Sequence, residues 1–449
     1  WAAVDRNAVK FNAQDIANTL LALNQMWVRW SDLTGDLGKK LWAAVDRNAE
    51  NFNAQGIANS LLALNQMGVR WDALPSGLGE KLWAAVDRNA ENFNAQEIAN
   101  SLLALNQMGV RWDALPSGLD KKLWTAVDRN AEIFNAQEIA NSLLALNQMG
   151  VYCDTLPRGL GEKLWAAVEH NVENFNAQGI TNSLLACVRM QLGGTQTELG
   201  RSYDNATIHR LITGAQRMAE QGVCTNEQTQ QIAQALTWLE AFQAIDYSQA
   251  FHGMDLKKDV HSSQLQTSVR KALQALCPDL AIEEEKGLGF AGCMVVDIFI
   301  PKKNLVIEVD GPHHYDKAGR LDQVSLQKQQ LLGKLGYEVK RIAYTQWDKL
   351  NQAGKEALLN ACLSTAQKKT LDESSMSKHS FFRDPTSISD NKFRYLNKSV
   401  SNLSILNANA KEWHPTTSSV QQVCRDRFLG YEEEKPHDDE WIVVKRKGK

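Results

Sequence analysis

Apolar and polar positions in the first part of the chain follow the spacing of an α-helix. In the unit that begins at Trp42, apolar residues three or four apart run from 42 to 52, and a second such run covers 57 to 64. Each unit therefore predicts two amphipathic helices. The unit recurs every 41 residues, a period typical of a solenoid of stacked helical hairpins. The units open at Trp1, Trp42, Trp83, Trp124 and Trp165.

The second helix of each unit has a well-marked predicted start and end. Asn94 is followed three residues later by Glu97, which is the pattern of a capping box. Gly109 and the later segment 116–118 are of turn-forming composition and predict where the helix and the unit end. The sequence thus predicts an α-solenoid of 41-residue helical hairpins over residues 1–190.

Polar side chains of these units are predicted to form ladders along the stack. Asn59 and Gln66 lie on the side of the second helix away from its apolar residues, and Arg47 lies one turn before Asn51. One Asn, Gln or Arg per step is what reading one base of single-stranded RNA per repeat requires. An ordinary solvated helix face, or a protein-binding solenoid, would have the same pattern. The candidate RNA-binding residues are Arg47, Asn51, Asn59, Gln66, Arg88, Asn100, Arg129 and Asn141.

Residues 191–261 predict a helical cap or connector. The repeat pattern fades after Ala186, and two further helical runs are predicted at Ala206–Gln221 and Asn226–Ala244. The end of a solenoid exposes apolar surface that must be covered. We therefore expect these helices to close the array.

A β-hairpin is predicted in the last third of the chain. Two runs of branched and aromatic residues, Met294–Ile300 and Leu305–Val309, flank a four-residue polar link. Pairing Ile300 with Leu305 sets Asp297 against Glu308, and Asp310 shares the face of Glu308. Like charges placed there repel, and a cation would offset the repulsion. The predicted result is three carboxylates, Asp297, Glu308 and Asp310, on one face.

The elements around this hairpin predict a small mixed α/β domain over residues 262–367, with helices packed on the sheet. They are a helix at Ser263–Cys277, a strand at Leu280–Glu285, a helix at Arg320–Leu335, a strand at Tyr337–Tyr344 and a helix from Gly354 onward. Residues 368–449 are rich in polar residues and predict a largely disordered tail.

Composition narrows the class of protein only slightly. The 449 residues are 43% apolar and 22% charged, which is ordinary for a globular protein, and the net charge of −3 excludes a generally basic one. Seven scattered cysteines without CxxC spacing indicate neither a disulfide framework nor a zinc site and favour an intracellular location. No apolar run is long enough for a membrane span. The start at Trp1, in mid-pattern and without Met, indicates a fragment.

The repeats resemble octatricopeptide repeats, which are helical hairpins of organellar RNA-binding proteins, and are similar to related repeats of some intracellular bacteria. The motif FNAQEIANSLLALNQMG carries this resemblance. It implies a single-stranded RNA partner. It also implies a mitochondrion or chloroplast in a eukaryote, or a bacterial cytoplasm or delivery into a host cell.

The C-terminal domain resembles the RAP domain of organellar and apicomplexan RNA-binding proteins. The motifs VDIFIP, LVIEVDGPHHY, LLGKLGYEV and RIAYTQW carry the resemblance, and its core covers 295–350. RAP domains look like diverged members of the restriction-endonuclease-like fold. This implies RNA binding for processing, maturation or stability control. Basic residues are denser around the hairpin than in the repeats, and four of them are candidates for contacts with phosphates. Those residues are Lys302, Lys303, Lys317 and Arg320.

The same resemblance implies an alternative function as a metal-dependent RNA endonuclease. Mg²⁺ or Mn²⁺ would be held by Asp297, Glu308 and Asp310, and His313 or His314 would deliver water or protonate the leaving oxygen. Asp310 stands where the usual enzyme has a lysine, which departs from the ordinary mechanism. A third interpretation is a non-catalytic protein-binding scaffold or bacterial effector.

Overall fold

The computed structural model describes residues 2–194, 205–243, 251, 256, 262–316 and 319–364. The chain divides into two units, Trp1–Thr370 and Leu371–Lys449, and all described residues belong to the first. The predicted tail, 368–449, and the candidate Lys317 lie outside the described residues.

The repeats form the predicted solenoid of helical hairpins. In each hairpin a first α-helix, a short 3₁₀ turn and a second α-helix follow one another. The first helix begins ahead of the repeating tryptophan, at Leu37 in the hairpin of Trp42, so the structural repeat is offset from the sequence unit. The first helices are α1 (Ala2–Asn7), α3 (Leu37–Asn48), α5 (Leu78–Asn89), α7 (Leu119–Asn130) and α9 (Leu160–Asn171). The second helices are α2 (Ala13–Gln25), α4 (Ala54–Gln66), α6 (Ala95–Gln107), α8 (Ala136–Gln148) and α10 (Ala177–Leu192).

Burial and capping explain why these segments are helical. Leu41, Ala44 and Val45 of α3 are fully buried, which gives the helix one apolar face. The capping box predicted at the start of α6 is confirmed: the Asn94 side chain accepts from the Glu97 N–H, and the Glu97 carboxylate accepts from the Asn94 N–H, both at 2.9 Å. A cap of this kind contributes about 1 kcal/mol.

Buried asparagines join each first helix to the preceding repeat. Asn48 Nδ2 donates at 2.8 Å to the carbonyl of Phe11, and the equivalent Asn89 donates at 3.0 Å to that of Phe52. The first helices pack on the 3₁₀ turn of the preceding repeat, whereas the second helices pack directly on one another. These amides help to satisfy backbone carbonyls at the boundary between repeats. Asn130 and Asn171 make the same bond, each at 2.9 Å.

Two further helices cover the end of the array. They are α11 (Asn205–Glu220) and α12 (Asn226–Gln243), and both pack on α10, as expected of a cap. The helix α12 also contacts the C-terminal domain, where the Phe290 N–H donates to Thr237 Oγ1 at 3.0 Å. The cap is therefore also the connection between the repeats and that domain.

The C-terminal domain is a four-stranded mixed sheet with helices on it, which confirms the predicted class. The sheet order is β1-β2-β3-β4, with β1, β2 and β3 antiparallel and β4 parallel to β3. The predicted register of Ile300 against Leu305 is confirmed. The elements are α13 (Gln264–Leu276), β1 (Glu283–Leu288), β2 (Met294–Ile300), β3 (Leu305–Asp310), α14 (Gln323–Lys334), β4 (Glu338–Ala343), α15 (Tyr344–Trp347) and α16 (Gln352–Ser364).

Two predicted boundaries in this domain are wrong, and hydrogen bonds explain both. The first strand begins after Leu280 because the N–H of that residue donates to the Cys277 carbonyl in a turn that follows α13. The helix α14 begins after Arg320 because the Asp322 side chain accepts from the Ser325 N–H at 2.7 Å and caps the helix.

The central strand β3 is buried on both faces. Leu305 and Ile307 belong to a core shared with α13 and α16, whereas Val306 belongs to the large core that includes Leu331 and Leu332 of α14. A carboxylate on β3 is thus buried whichever face it takes, and it needs a partner inside the domain.

The helix α14 docks on the turns of the repeats. Gln327 Nε2 donates to the carbonyl of Asn147 at the end of α8 at 3.3 Å, and Gln330 Nε2 donates to that of Gly193 at 3.0 Å. Arg111 Nη1, from the third repeat, donates at 3.0 Å to the carbonyl of Leu321. The described repeats and the C-terminal domain therefore share one packed junction.

Candidate functional site

Asp297 lies where the β2–β3 ladder stops. Pairing ends at Ile298, and the next step would place Asp297 against Glu308, as predicted. There, Asp297 Oδ2 accepts from the backbone N–H of Val309 at 2.6 Å. The half-buried carboxylate thus occupies the place of a ladder carbonyl.

Glu308 is a buried carboxylate with one satisfied oxygen. Its Oε2 accepts from Lys328 Nζ at 2.6 Å, while Oε1 is buried and has no hydrogen-bond partner among the described residues. Burial raises the pKa of Glu308; the Asp297 charge adds to this, and the Lys328 charge opposes it. An unsatisfied buried oxygen costs about 1–3 kcal/mol, so Glu308 is a candidate for a functional role.

Asp310 is fully engaged by β4 and by the loop that follows it. Arg341 donates from Nε to Asp310 Oδ2 at 2.7 Å and from Nη2 to Oδ1, while the Tyr315 hydroxyl donates to Oδ2 at 3.1 Å. Burial, and then the negative charge of Asp310, raise the pKa of Tyr315 to about 12, so the phenol keeps its proton and remains a donor. Both oxygens of Asp310 therefore have partners within the domain.

The three carboxylates do not present a shared metal-binding set. The part of the chain that the structure describes contains no group of three or more His, Cys, Asp or Glu side chains that could hold a metal ion. Asp310 in particular is committed to Arg341. Mg²⁺ takes near-octahedral oxygen ligands, of which Asp297 and Glu308 would supply two. Binding of Mg²⁺ or Mn²⁺ by that pair stays a prediction.

The two candidate histidines lie side by side in different environments. Their rings are 4.1 Å apart, with His313 exposed and His314 half-buried. The Asp322 carboxylate, 3.4 Å from Nδ1, raises the pKa of His314, whereas burial and the neighbouring His314 lower the pKa of His313. The pKa values of the two imidazoles are thus shifted in opposite directions, as in sites that pair a base with an acid. Ser325 Oγ also lies 3.1 Å from His314 Nδ1.

The predicted phosphate-binding residues differ in exposure and in whether their cationic groups already have a partner. Lys302 is exposed, whereas Lys303 Nζ donates to the Leu363 carbonyl at 3.2 Å. Arg320 pairs with Asp316 at 2.8 Å and approaches Asp113 of the third repeat at 3.5 Å. The structure thus brings Arg320 to the repeats and leaves Lys302 on the outer turn between β2 and β3.

Several predicted RNA-binding residues of the repeats have partners in the neighbouring repeat. Arg47 donates to the Ala8 carbonyl at 3.1 Å, Arg88 to the Ala49 carbonyl at 3.2 Å, and Arg129 to the Phe93 carbonyl at 2.6 Å. Gln66 Oε1 accepts from Asn24 in the same manner. These contacts stabilise the stack, and a role of these four residues in RNA binding stays a prediction.

The asparagines of the second helices form an open ladder. Asn59, Asn100 and Asn141 are half-buried, and their side chains make no hydrogen bond within the described residues. With the exposed Gln55, Gln96 and Gln137 of the same helices they form what we call the amide face. Asn51 is exposed just before α4.

Amide side chains of adjacent repeats line a groove of about 230 Å³ between α8 and α10. Its polar lining consists of amide side chains, and Lys, Arg, Asp and Glu are absent from that lining. Such a groove offers hydrogen-bond donors and acceptors together. The amides are those of Gln137, Asn141, Asn174, Asn176, Gln178 and Asn182.

The residues that contact His314 were not among the predicted site residues. Asp322 and Ser325 orient His314, and the spacing of an acid three residues before Ser at a helix start would have indicated the cap that brings them together. Nothing in the sequence indicated that the cap also reaches the histidine.

Helical repeats followed by a small mixed α/β domain define the class of this protein. Residues 307–361 match the family model described as the RAP domain. Residues 1–20, 26–61, 67–102, 108–143 and 155–184 match the model of a protein of unknown function (DUF1601). The chain therefore carries helical repeats followed by a RAP domain. Comparison with curated proteins finds no match. Among the described helices, none has the length and apolar character needed to cross a membrane.

Proposed function

We propose that this protein binds single-stranded RNA through the amide face of its repeats and holds it against the RAP domain for processing, maturation or stability control. The observation that carries the proposal is the ladder of Asn59, Asn100 and Asn141, which are accessible and have no hydrogen-bond partner within the described residues. An amide that donates and accepts at once can pair with the edge of an unstacked base.

The charges of the repeats support recognition of bases over recognition of phosphates. Lys81 pairs with Asp46 at 2.8 Å and Lys122 with Asp87 at 2.7 Å, and this pairing is repeated from hairpin to hairpin. These lysines of the first helices are therefore balanced within the stack. Uncharged amides on the second helices are left to make the contacts that specify sequence.

The RAP domain supports the proposal through its position. Its helix α14 lies on the repeat turns, and the exposed Arg320 approaches Asp113 of the third repeat at 3.5 Å. RNA on the amide face would thus have a surface nearby where its phosphates could be contacted.

The test is ultraviolet crosslinking followed by RNA sequencing, with the full chain expressed in its source cell. The triple variant Asn59→Ala, Asn100→Ala and Asn141→Ala should lose most of the recovered RNA. The matched control changes one exposed acid in each of the same repeats, Glu50→Ala, Glu91→Ala and Glu132→Ala, and should lose none, since it removes no attraction to phosphate. Equal recovery by both variants would contradict the proposal. Recovery of a protein partner without RNA would favour the scaffold or effector interpretation.

A metal-dependent endoribonuclease is the second candidate, and the unpartnered oxygen of buried Glu308 beside Asp297 is the observation that favours it. This version predicts that purified protein cleaves RNA with Mg²⁺ or Mn²⁺ and that cleavage is lost in Asp297→Asn. The control is Asp279→Asn, which lies outside the carboxylate cluster. Absence of cleavage by the wild-type chain with either metal would exclude this version and leave the binding proposal intact.

A further inference from the structure

A cavity of about 420 Å³ lies between the repeats and the RAP domain. Its walls are the turns that end the second and third repeats, closed on one side by the loop of Asp316 and Arg320. Pockets for small ligands measure about 300–1,000 Å³, so the cavity has room for one nucleotide. The residues that carry its chemistry are Arg70, Trp71, Trp83, Arg111, Asp316 and Arg320.

One wall of the cavity is aromatic. Trp71 and Trp83 pack with ring centroids 4.0 Å apart and ring planes tilted by 34°, and Trp71 is only half-buried. The equivalent pair Trp30–Trp42 packs in the same manner but lies at the start of the array, away from the RAP domain. A partly exposed indole is a platform on which a base stacks whatever its identity.

The other walls carry three arginines from both parts of the molecule. Arg111 pairs with Asp113 at 3.0 Å and Arg320 with Asp316 at 2.8 Å, whereas the Arg70–Asp72 contact is longer, at 3.4 Å, and exposed. Each arginine is thus balanced by an aspartate, and the cavity is close to neutral. It suits a ligand with a flat ring and a single phosphate better than a free polyanion.

The cavity also lies at the end of α6, one of the helices that carry the amide face. Asn100 and Gln107 face outward on α6, and the next two residues, Met108 and Gly109, line the cavity. Gly109 has φ +87°, and a Cβ there would lie 2.9 Å from Arg70 Nη2, so the arginine lies against the glycine turn. A strand leaving the amide face at the third repeat would reach this cavity without crossing another repeat.

We propose that this cavity binds one nucleotide of the single-stranded RNA, with the base on Trp71 and the phosphate between Arg70 and Arg320. The inference rests on the proposed function and deepens it: the cavity fixes where the RNA passes from the repeats to the RAP domain. The nucleotide contacts both parts and would strengthen the junction between them.

The repeats provide a matched control for the test. Arg70→Ala and Arg320→Ala each remove an exposed arginine of the cavity, and Arg29→Ala removes the exposed equivalent of Arg70 one repeat earlier, away from the cavity. The probe is a fluorescein-labelled single-stranded RNA of random sequence, measured by anisotropy with the full chain. Each cavity variant should raise Kd about tenfold, and Arg29→Ala should change it less than twofold. Ultraviolet crosslinks should map to the peptides that contain Trp71 or Trp83.

The outcomes separate this inference from the proposed function. Failure of the wild-type chain to bind the RNA would overturn both. Binding that Arg70→Ala, Arg320→Ala and Arg29→Ala leave unchanged, with no crosslink in the cavity, would overturn the cavity assignment alone. A second arm titrates free adenosine and uridine monophosphates. If these bind in an Arg70-dependent manner while the RNA does not depend on Arg70, the cavity is a site for a free nucleotide, which also overturns the proposal.

Discussion

The Asp310–Arg341 pair is the residue-level feature with the largest expected effect on stability. Asp310 is 1% exposed and accepts both prongs of the guanidinium. Arg341→Ala should destabilise the RAP domain by about 3–5 kcal/mol, because it leaves a buried carboxylate unpaired. The double variant Asp310→Asn with Arg341→Met should cost less than Arg341→Ala alone. Urea unfolding of the full chain measures this, with Lys302→Ala as a control that should be silent. A loss below 1 kcal/mol for Arg341→Ala would contradict the role assigned to the pair.

Glu308 gives a pH-dependent prediction of definite sign. Burial raises its pKa above the ordinary carboxyl value, so in the window above about pH 4.5 the folded state holds a proton that the unfolded state has lost. This contribution to stability therefore falls as pH rises through that window. Glu308→Gln removes the titration while keeping the shape of the side chain. The free energy of unfolding of Glu308→Gln minus that of wild type should increase with pH across the window and level off above it.

Paired urea titrations of the two proteins from about pH 4.5 to about pH 8 measure this difference. A difference that stays flat would show that the Lys328 charge offsets the effect of burial on the pKa of Glu308. A difference that decreases as pH rises would show that the Lys328 charge outweighs burial.

At the scale of elements, the docking of α14 on the fourth repeat can be tested with two glycines. Gly68 and Gly150 occupy equivalent turns with φ of +84° and +93°. A Cβ at Gly68 would meet nothing within 4 Å among the described residues, whereas one at Gly150 would lie 2.7 Å from Gln323 Nε2 at the start of α14. Gly68→Ala should cost about 1 kcal/mol for the left-handed backbone. Gly150→Ala should cost a further 1–2 kcal/mol or so for the crowded junction.

Hydrogen exchange read at α14 distinguishes the two glycine variants. Gly150→Ala should lower the protection of α14, and Gly68→Ala should leave it unchanged. Equal protection in both would mean that the fourth repeat does not hold α14 in place.

Elements with a strong local signal were predictable from the sequence. The capping box at Asn94 fixed the start of α6, and the hairpin register of Ile300 against Leu305 followed from the length of the link. The start of α14 was not predictable from the sequence. The helix begins after Asp322, whose side chain caps it, and not at Arg320. Hydrophobic periodicity alone does not show that cap.

The candidate site was predictable as a set of residues but not as a set of contacts. The position of Asn59 away from the apolar face followed from helix geometry, whereas the hydrogen bond from Arg88 to the Ala49 carbonyl depends on how the repeats stack. The partner of Asp310 comes from β4, and only the parallel pairing of β3 with β4 brings Arg341 to it. Pairings between distant segments carry no local signal in the sequence.

The fourth repeat, on which α14 docks, departs from the repeat sequence. Where earlier units have Arg-Trp, as at Arg111-Trp112, the fourth has Tyr152-Cys153. Asn147 of the same unit is fully buried beneath α14. Burial raises the pKa of the Cys153 thiol to about 12, which keeps it unreactive.

At the scale of the whole molecule, the repeats and the RAP domain have two kinds of surface that the proposed RNA would meet. The repeats offer amides whose neighbouring cations are already paired, and the RAP domain offers a few exposed basic side chains. If RNA passes through the cavity as we propose, its position on the repeats would determine which segment reaches the histidine pair. Cleavage, if the protein carries it out, would then occur at a fixed distance from the recognised bases.

This division of roles predicts a weak dependence of RNA affinity on salt. For single strands the slope of log K against log [salt] is about −0.7 per neutralised phosphate, so about two phosphates, one at Lys302 and one between Arg70 and Arg320, give a slope of about −1.4. Anisotropy titrations at several KCl concentrations measure it. Lys302→Ala should reduce the slope by about 0.7, whereas loss of the amides Asn59, Asn100 and Asn141 should lower affinity at every salt concentration without changing the slope. A slope steeper than about −5 would mean that phosphate contacts dominate and that the amide face is not the main source of affinity.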